Sequence, residues 1–215
     1  MPRQLLDTGV VAIARATSTT HVERAAATLI DAGITCIEVT LTMPGALEMV
    51  GVLVKAFGSS ASIGAGTVLT ADEARACIDV GATFLVSPST APDVVQAAAA
   101  DGVPCLPGAL TPSEIVAAWE SGAAAVKLFP ASLGGARYVR NVRAPLPHIP
   151  LIPTGGVGID DASLYIAAGA LAVGVGGPLF GDALAGGPLA ELADRAARFL
   201  RAIAEARVAL SAGSS

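Results

Sequence analysis

Eight short apolar runs punctuate the chain: VVAIARA (10–16), CIEVTL (36–41), SIGAGTV (62–68), FLVSP (84–88), PCLPG (104–108), AVKLFP (125–130), PLIPTGG (150–156) and AVGVGG (172–177). They recur roughly every 20 to 26 residues and break into Gly, Pro, Ser or Thr, as strands do at their ends. Their apolar character is nearly continuous rather than alternating, which predicts strands of a parallel sheet covered on both faces. The intervening segments change to a helical period. TTHVERAAATLIDAG places Val22, Ala26 and Leu29 on one stripe and stops at Gly33. TADEARACIDVG opens with Thr70 as N-cap and Glu73 three residues later, a capping box. APDVVQAAAADG, TPSEIVAAWESG and DDASLYIAAGA repeat the plan, with Pro112 at a first helical position. A short helix is expected over 179–184 and a final one over 189–210. The arginines of the final helix (Arg195, Arg198, Arg201 and Arg207) read as a solvated face. The tail SAGSS (211–215) is expected to fray.

A strand–helix unit repeated eight times predicts an α/β fold, a single (β/α)8 TIM barrel filling residues 1–215 as one domain. The competing architecture is an open doubly wound sheet. Even spacing and the lack of an early G-x-G-x-x-G favour the barrel.

Composition narrows the function. Charged residues make up 14% of 215 and the net charge is -5, so no basic footprint for nucleic acid exists. No apolar stretch is long enough to cross a membrane, and the N-terminus does not read as a secretory signal. Three cysteines (Cys36, Cys77 and Cys105) with no C-x-x-C point to neither a disulfide framework nor a thiolate zinc site. A reducing cytoplasm is the expected location. With only two histidines, His21 in the first turn of a helix and His148 in a loop, no metal site is expected.

In a parallel barrel, alternate strand residues point inward and chemistry gathers where strands end. Among the acidic residues, lysines and arginines, only Arg15, Glu38 and Lys127 fall inside the predicted strands. Lys127 shares a face with Phe129 in a run without other charge. An ammonium there is costly, and desolvation favours the neutral amine, a nucleophile toward ketones. It could equally be a packed stem whose head meets a carboxylate. Glu38 shares a face with Cys36 and Thr40; buried, it could move protons, or it could simply neutralise Lys127 or Arg15. Glycine clusters end the seventh and eighth runs (Gly155, Gly156; Gly176, Gly177) and offer backbone amides to a phosphate, or serve as tight turns. Thr67, Pro88 and Thr154 fall at strand ends and would line the mouth. One buried amine, one carboxylate and one anion site match an imine-forming aldolase better than a metal-dependent one.

GITCIEVTLT (33–42), GAGTVL (64–69), SP (87–88), PG (107–108), GAAAVKLFPA (122–131) and PTGG (153–156), in that order, resemble the class I 2-keto-3-deoxy-6-phosphogluconate (KDPG) aldolases, which include the 4-hydroxy-2-oxoglutarate enzymes. The resemblance runs from Val10 to the last helix. It implies a Schiff base between Lys127 and pyruvate, with Glu38 moving the protons. It implies that Thr67 holds the pyruvate carboxylate, that Pro88, Phe129 and Thr154 shape the pocket, and that Gly155, Gly156, Gly176 and Gly177 bind phosphate. It further implies a homotrimer, small-molecule substrates and no metal or other cofactor. Many members carry an arginine where this chain has Thr42, and a serine where it has Pro178. A subset uses an arginine on the first strand instead, and Arg15 matches it, which assigns Arg15 to the substrate's anionic end. The implied reaction is cleavage of 2-keto-3-deoxy-6-phosphogluconate to pyruvate and glyceraldehyde 3-phosphate. Cleavage of 4-hydroxy-2-oxoglutarate to pyruvate and glyoxylate is an implied further activity; the alternatives are the phosphogalactonate epimer, unphosphorylated analogues, a phosphate-binding barrel isomerase or synthase, and a non-catalytic assembly or binding protein.

Overall fold

The computed structural model describes residues 1–213. It opens with a helix absent from the sequence expectation, α1 (Arg3–Thr8), ended by Gly9 in the left-handed conformation. Strands and helices then alternate: β1 (Val10–Ala14), α2 (Val22–Asp31), β2 (Cys36–Thr40), α3 (Ala46–Phe57), β3 (Ser62–Gly66), α4 (Ala71–Asp79), β4 (Leu85–Val86), α5 (Pro92–Ala100) and β5 (Cys105–Leu106). The second half holds β6 (Gly108–Ala109), α6 (Pro112–Glu120), β7 (Val126–Leu128), α7 (Gly135–Arg143), β8 (Leu151–Pro153), α8 (Ile159–Ala167), β9 (Val173–Val175), α9 (Gly177–Phe180) and α10 (Leu189–Gly213). All eight apolar runs contain strand. α3 and α7 fill two linkers to which the sequence pattern assigns no helix.

Every strand pairing is parallel. The strands form a curled six-stranded sheet, β5-β4-β3-β2-β1-β9, and a three-stranded sheet, β6-β7-β8. The pattern predicts one continuous ring; two interruptions break the ladder. Pro107, without an amide hydrogen, splits the fifth run into β5 and β6. At the other seam, β8 and β9 meet at a single bridge between Thr154 and Gly174.

Alternate strand residues feed two separate cores. Ala12, Ala14, Ile37, Val39, Val126 and Leu128 face outward into the layer of helices. Val11, Ile13, Cys36, Phe84, Val86, Leu106, Ala125, Ile152 and Ala172 face inward, joined by Leu5 of α1. The pleat therefore sends Glu38 and Lys127, in phase with Cys36 and Ala125, into the apolar interior.

The expected caps form. Thr70 accepts from the Glu73 amide while Glu73 accepts from the Thr70 amide, and Thr111 with Glu114 repeats the box ahead of Pro112. His21 is the N-cap of α2 rather than a residue of its first turn. His148 lies in the loop before β8, edge-on to Trp119. The short helix begins earlier than expected, at Gly177, and ends at Phe180 before a 3-10 turn over Ala183–Ala185. α10 continues through residues 211–213, the first three of the tail expected to fray; Ser214 and Ser215 lie outside the described residues. Two of its arginines are only partly exposed. Arg195 donates to the Leu179 and Phe180 carbonyls, closing the end of α9, and Arg207 donates to the Asp7 and Leu171 carbonyls. Both are drawn in because helix C-termini and strand entries leave carbonyls unpaired. Arg198 and Arg201 are exposed as expected. Among the described residues no helix is long and apolar enough to cross a membrane.

Candidate active site

Lys127 is the middle residue of β7, in register with Gly108 on one side and Ile152 on the other. It is 4% exposed. Its Nζ stands 5.3 Å from the centroid of the Phe129 ring, within cation–π range. Glu38, in the middle of β2, is 1% exposed and pairs with Ile13 and Gly64 across the neighbouring strands. The two side chains share an interior hollow whose walls are Val11, Ile13, Val86, Leu106 and Ile152, with Thr154 and Gly174 at its rim. Hydrocarbon thus surrounds both ionisable groups on the side away from solvent.

The Glu38 carboxyl lies over Gly66, where any side chain would overlap it. Its Oε1 is buried without a hydrogen-bond partner. No salt bridge joins it to Lys127 or Arg15 among the described residues, so its charge is influenced through space rather than neutralised in contact. Burial raises its pKa from the ordinary carboxylate value; the positive charges of Lys127 and Arg15 pull it partly back. Cys36, one pleat below, has its thiol pushed upward by burial and by Glu38. An orphaned carboxylate oxygen in an apolar hollow is costly to folding and is useful to a proton-transfer reaction.

Above the hollow, a cleft of about 370 Å³ opens to solvent. Ile13, Arg15, Lys127, Phe129 and Thr154 form one part of it. Gly155, Gly156, Val157, Gly176, Gly177 and Pro178 form the other. Arg15 follows β1 directly and is exposed, with no salt-bridge partner among the described residues. Gly155 and Gly156 have φ of 93° and 76°, conformations glycine adopts without strain, and Gly155 lies against the Phe129 ring. Thr154 is 5% exposed and its hydroxyl donates to the Ile152 carbonyl.

Nine of the eleven expected site residues therefore gather at one place: Lys127 and Glu38 in the hollow, and Arg15, Phe129, Thr154 and the four glycines around the cleft, with Lys127 and Thr154 common to both. Thr67 and Pro88 line neither. The Pro88 carbonyl packs against Gly108, which couples it to the neighbouring strand. Thr67 carries two signs of a special position: φ of 61°, unique among the described non-glycine residues, and a buried Oγ1 with no partner. Thr42 is exposed and its hydroxyl lies 3.1 Å from that of Thr40, away from the cleft. Sequence reasoning misses the apolar wall residues Val11, Ile13, Val86, Leu106 and Ile152. Their only signal is the inward phase they share with Glu38 and Lys127.

Residues 3–188 match the family model for KDPG and KHG aldolase. The 2-dehydro-3-deoxy-6-phosphogalactonate aldolase of Escherichia coli (strain K12) is 35% identical over 83% of this chain and 86% of its own. The 2-dehydro-3-deoxy-phosphogluconate aldolase of Treponema pallidum (strain Nichols) is 37% identical over 65% of this chain and 66% of its own. A solved structure described as native KDPGal superposes with a TM-score of 0.85 at 33% identity, covering 92% of this chain and 95% of that one.

Proposed function

The chain belongs to the KDPG and KHG aldolase family and is a lyase; from that premise we propose that Lys127 is its imine-forming amine and Glu38 its proton shuttle. The observation that carries this reading is the shared hollow: a buried lysine and a carboxylate with an unpaired oxygen beneath one open cleft.

The Lys127 amine adds to the C2 ketone of a 2-keto-3-deoxy-6-phospho sugar acid, and loss of water leaves a protonated imine. Glu38, directly or through water, takes the C4 hydroxyl proton. The C3–C4 bond then breaks, its electron pair enters the imine, and glyceraldehyde 3-phosphate departs from an enamine. A proton returned to C3 and hydrolysis of the imine release pyruvate and free Lys127. The protonated imine is the electron sink, so the cycle needs no metal. The raised Glu38 pKa suits a group that must both accept and return a proton.

Arg15 and the amides of Gly155, Gly156, Gly176 and Gly177 hold the phosphate end, since they line the open part of the cleft. Phe129 and Thr154 shape the pocket. Thr67, outside the linings of hollow and cleft, is assigned to the pyruvate carboxylate for its unpaired buried hydroxyl, and Pro88 shapes the pocket indirectly, through its carbonyl packed against Gly108. 2-Keto-3-deoxy-6-phosphogluconate is the substrate of first choice, with 4-hydroxy-2-oxoglutarate cleaved by the same steps. The phosphogalactonate epimer is the second reading, favoured by the E. coli relative. An isomerase or synthase would leave Lys127 idle.

The chain forms one aldolase domain over residues 1–215, a closed ring of eight strands in which β5 and β6 count as one. The Thr154–Gly174 bridge and the hydrogen bond from the Ala124 amide to the Cys105 carbonyl support this. It assembles as a homotrimer in the cytoplasm; the exposed Val52 of α3 and a separate groove lined by Leu41, Met43 and Leu47 favour buried subunit contacts.

Borohydride reduction in the presence of pyruvate tests the chemistry. An adduct on the peptide containing Lys127 is expected; its absence refutes the imine. A lactate dehydrogenase-coupled assay on both epimers decides the substrate, and native mass spectrometry the trimer.

A further inference from the structure

The chain contains two tyrosines, and both place their hydroxyls on carbonyls of segments that follow strands of the three-stranded sheet. Tyr138 of α7 donates to the Leu110 carbonyl after β6, at 2.6 Å. Tyr165 of α8 donates to the Ala131 carbonyl, at 3.0 Å, in the loop after β7. The second bond links two halves of the cleft. Ala131 follows Phe129 and Pro130, the continuation of the strand that carries Lys127. Tyr165 belongs to α8, which begins at Ile159, three residues after Gly156.

The same loop is stitched to the glycines by backbone bonds. The Ala131 amide donates to the Thr154 carbonyl at 2.8 Å and the Ser132 amide to the Gly155 carbonyl at 3.1 Å. Gly155 lies against the Phe129 ring, and Gly156 so close to Ser132 that a Cβ would stand 2.8 Å from the Ser132 Cβ. Tyr165 is 3% exposed, so its ring is fixed by packing and its hydroxyl has one direction in which to donate. Burial and the nearby Asp161 raise the phenol pKa, which keeps the proton on the oxygen.

We propose that Tyr165 is a positioning residue: by holding the Ala131 carbonyl it sets the spacing between the Phe129 loop and the Gly155–Gly156 turn, and so the fit of the phosphorylated end of the substrate. It packs in the outer core and its hydroxyl bonds to Ala131 rather than to Lys127 or Glu38. Its effect therefore falls on binding of the phosphorylated aldehyde and not on imine formation. This rests on the aldolase reading above.

The test is Tyr165→Phe, which keeps the ring and deletes the hydroxyl. Losing one buried hydrogen bond that aligns the turn is expected to raise KM for glyceraldehyde 3-phosphate in the condensation direction by about tenfold. Condensation of pyruvate with glyoxylate, which has no phosphate, keeps its wild-type KM and kcat. The rate of borohydride trapping with pyruvate is unchanged. Tyr138→Phe removes an equivalent hydroxyl from a loop that does not touch the glycines, and is expected to leave the KM ratio of the two aldehydes as in wild type. An unchanged ratio in Tyr165→Phe overturns the proposal. So does an equal loss with both aldehydes, or a variant that has lost its fold and its pyruvate trapping, because each assigns the hydroxyl a purely structural role. If the wild-type protein itself yields no pyruvate adduct, the aldolase chemistry assigned to Lys127 fails instead, and the two failures are told apart.

Discussion

Gly66→Ala offers a steric test of where the Glu38 carboxyl must be. Gly66 ends β3 and pairs with Thr40 and Val86. Its φ is not positive, so the strand itself accepts alanine. The added Cβ would overlap Oε1, Cδ and Cγ of Glu38, whereas ordinary contact begins at 3.4 Å. The carboxyl must therefore shift by more than about 1 Å, a misplacement that costs on the order of 100-fold in rate. That corresponds to about 2.7 kcal/mol of transition-state stabilisation. The coupled pyruvate assay should show this fall in kcat, while borohydride trapping of pyruvate on Lys127 persists. Glu38→Gln, which removes the proton acceptor, should lower kcat by ~10²–10⁴. Adding Gly66→Ala to Glu38→Gln should cost almost nothing more, since both changes act on one group. Wild-type kcat in Gly66→Ala, or a double variant that loses the product of the two factors, would refute the placement of Glu38 as the proton shuttle.

Other outcomes follow from the same geometry. Burial raises the Glu38 pKa, and the shuttle must be ionised to accept the C4 proton. kcat for cleavage should thus fall as pH drops through a value above the ordinary carboxylate range, and Arg15→Gln should move that limb to still higher pH by removing one of the charges that pull it down. An unmoved limb in a kcat–pH profile counts against the through-space coupling. Arg15→Gln should also raise KM for the phosphorylated substrate tenfold or more, roughly the worth of a hydrogen bond to a charged group, measurable in steady-state assays at fixed salt. The buried thiols of Cys77 and Cys105 are pushed up to about 11 and about 12, and that of Cys36 rises as well. Iodoacetamide at pH 8 should therefore spare all three until the protein is unfolded; rapid labelling in the native state would contradict their burial. Thr111→Ala removes a capping hydroxyl at a cost of ~1 kcal/mol, a fall of about 2–4 °C in Tm for a domain of this size. The partner carboxylate of Glu114 has its pKa lowered by the Thr111 and Leu110 amides. Its stabilising share is present above the unfolded carboxylate pKa and is lost as pH falls through the folded one, so the Tm difference from wild type should shrink in acid.

Lys127 and Glu38 are legible in the sequence because charge is so rare inside the apolar runs that each stands alone there. The caps at Thr70 and Thr111 are legible because three-residue spacing is a local signal. α3 and α7 are harder: α3 is apolar on more than one face, and the exposed arginines of α7 obscure its stripe of Val139 and Val142. Arg195 and Arg207 depart from the solvated face that their spacing suggests because the carbonyls they reach belong to residues 15 to 200 positions away. Thr67 and Pro88 do fall at strand ends, but whether a strand end borders the cleft depends on how the sheet curls.

The order of residues alone decided the parallel strand–helix alternation, the inward phase of Glu38 and Lys127, and the glycines at the last two strand ends, because pleat, helical period and turn conformation are set within a few residues. Folding in three dimensions decided that no salt bridge among the described residues quenches the carboxylate, that Arg15 rather than Thr42 reaches the cleft, and that Tyr165 ties the lysine strand to the glycine turn. Those outcomes depend on distances between side chains from strands far apart in the chain, which only the packing of the sheet against its helices determines.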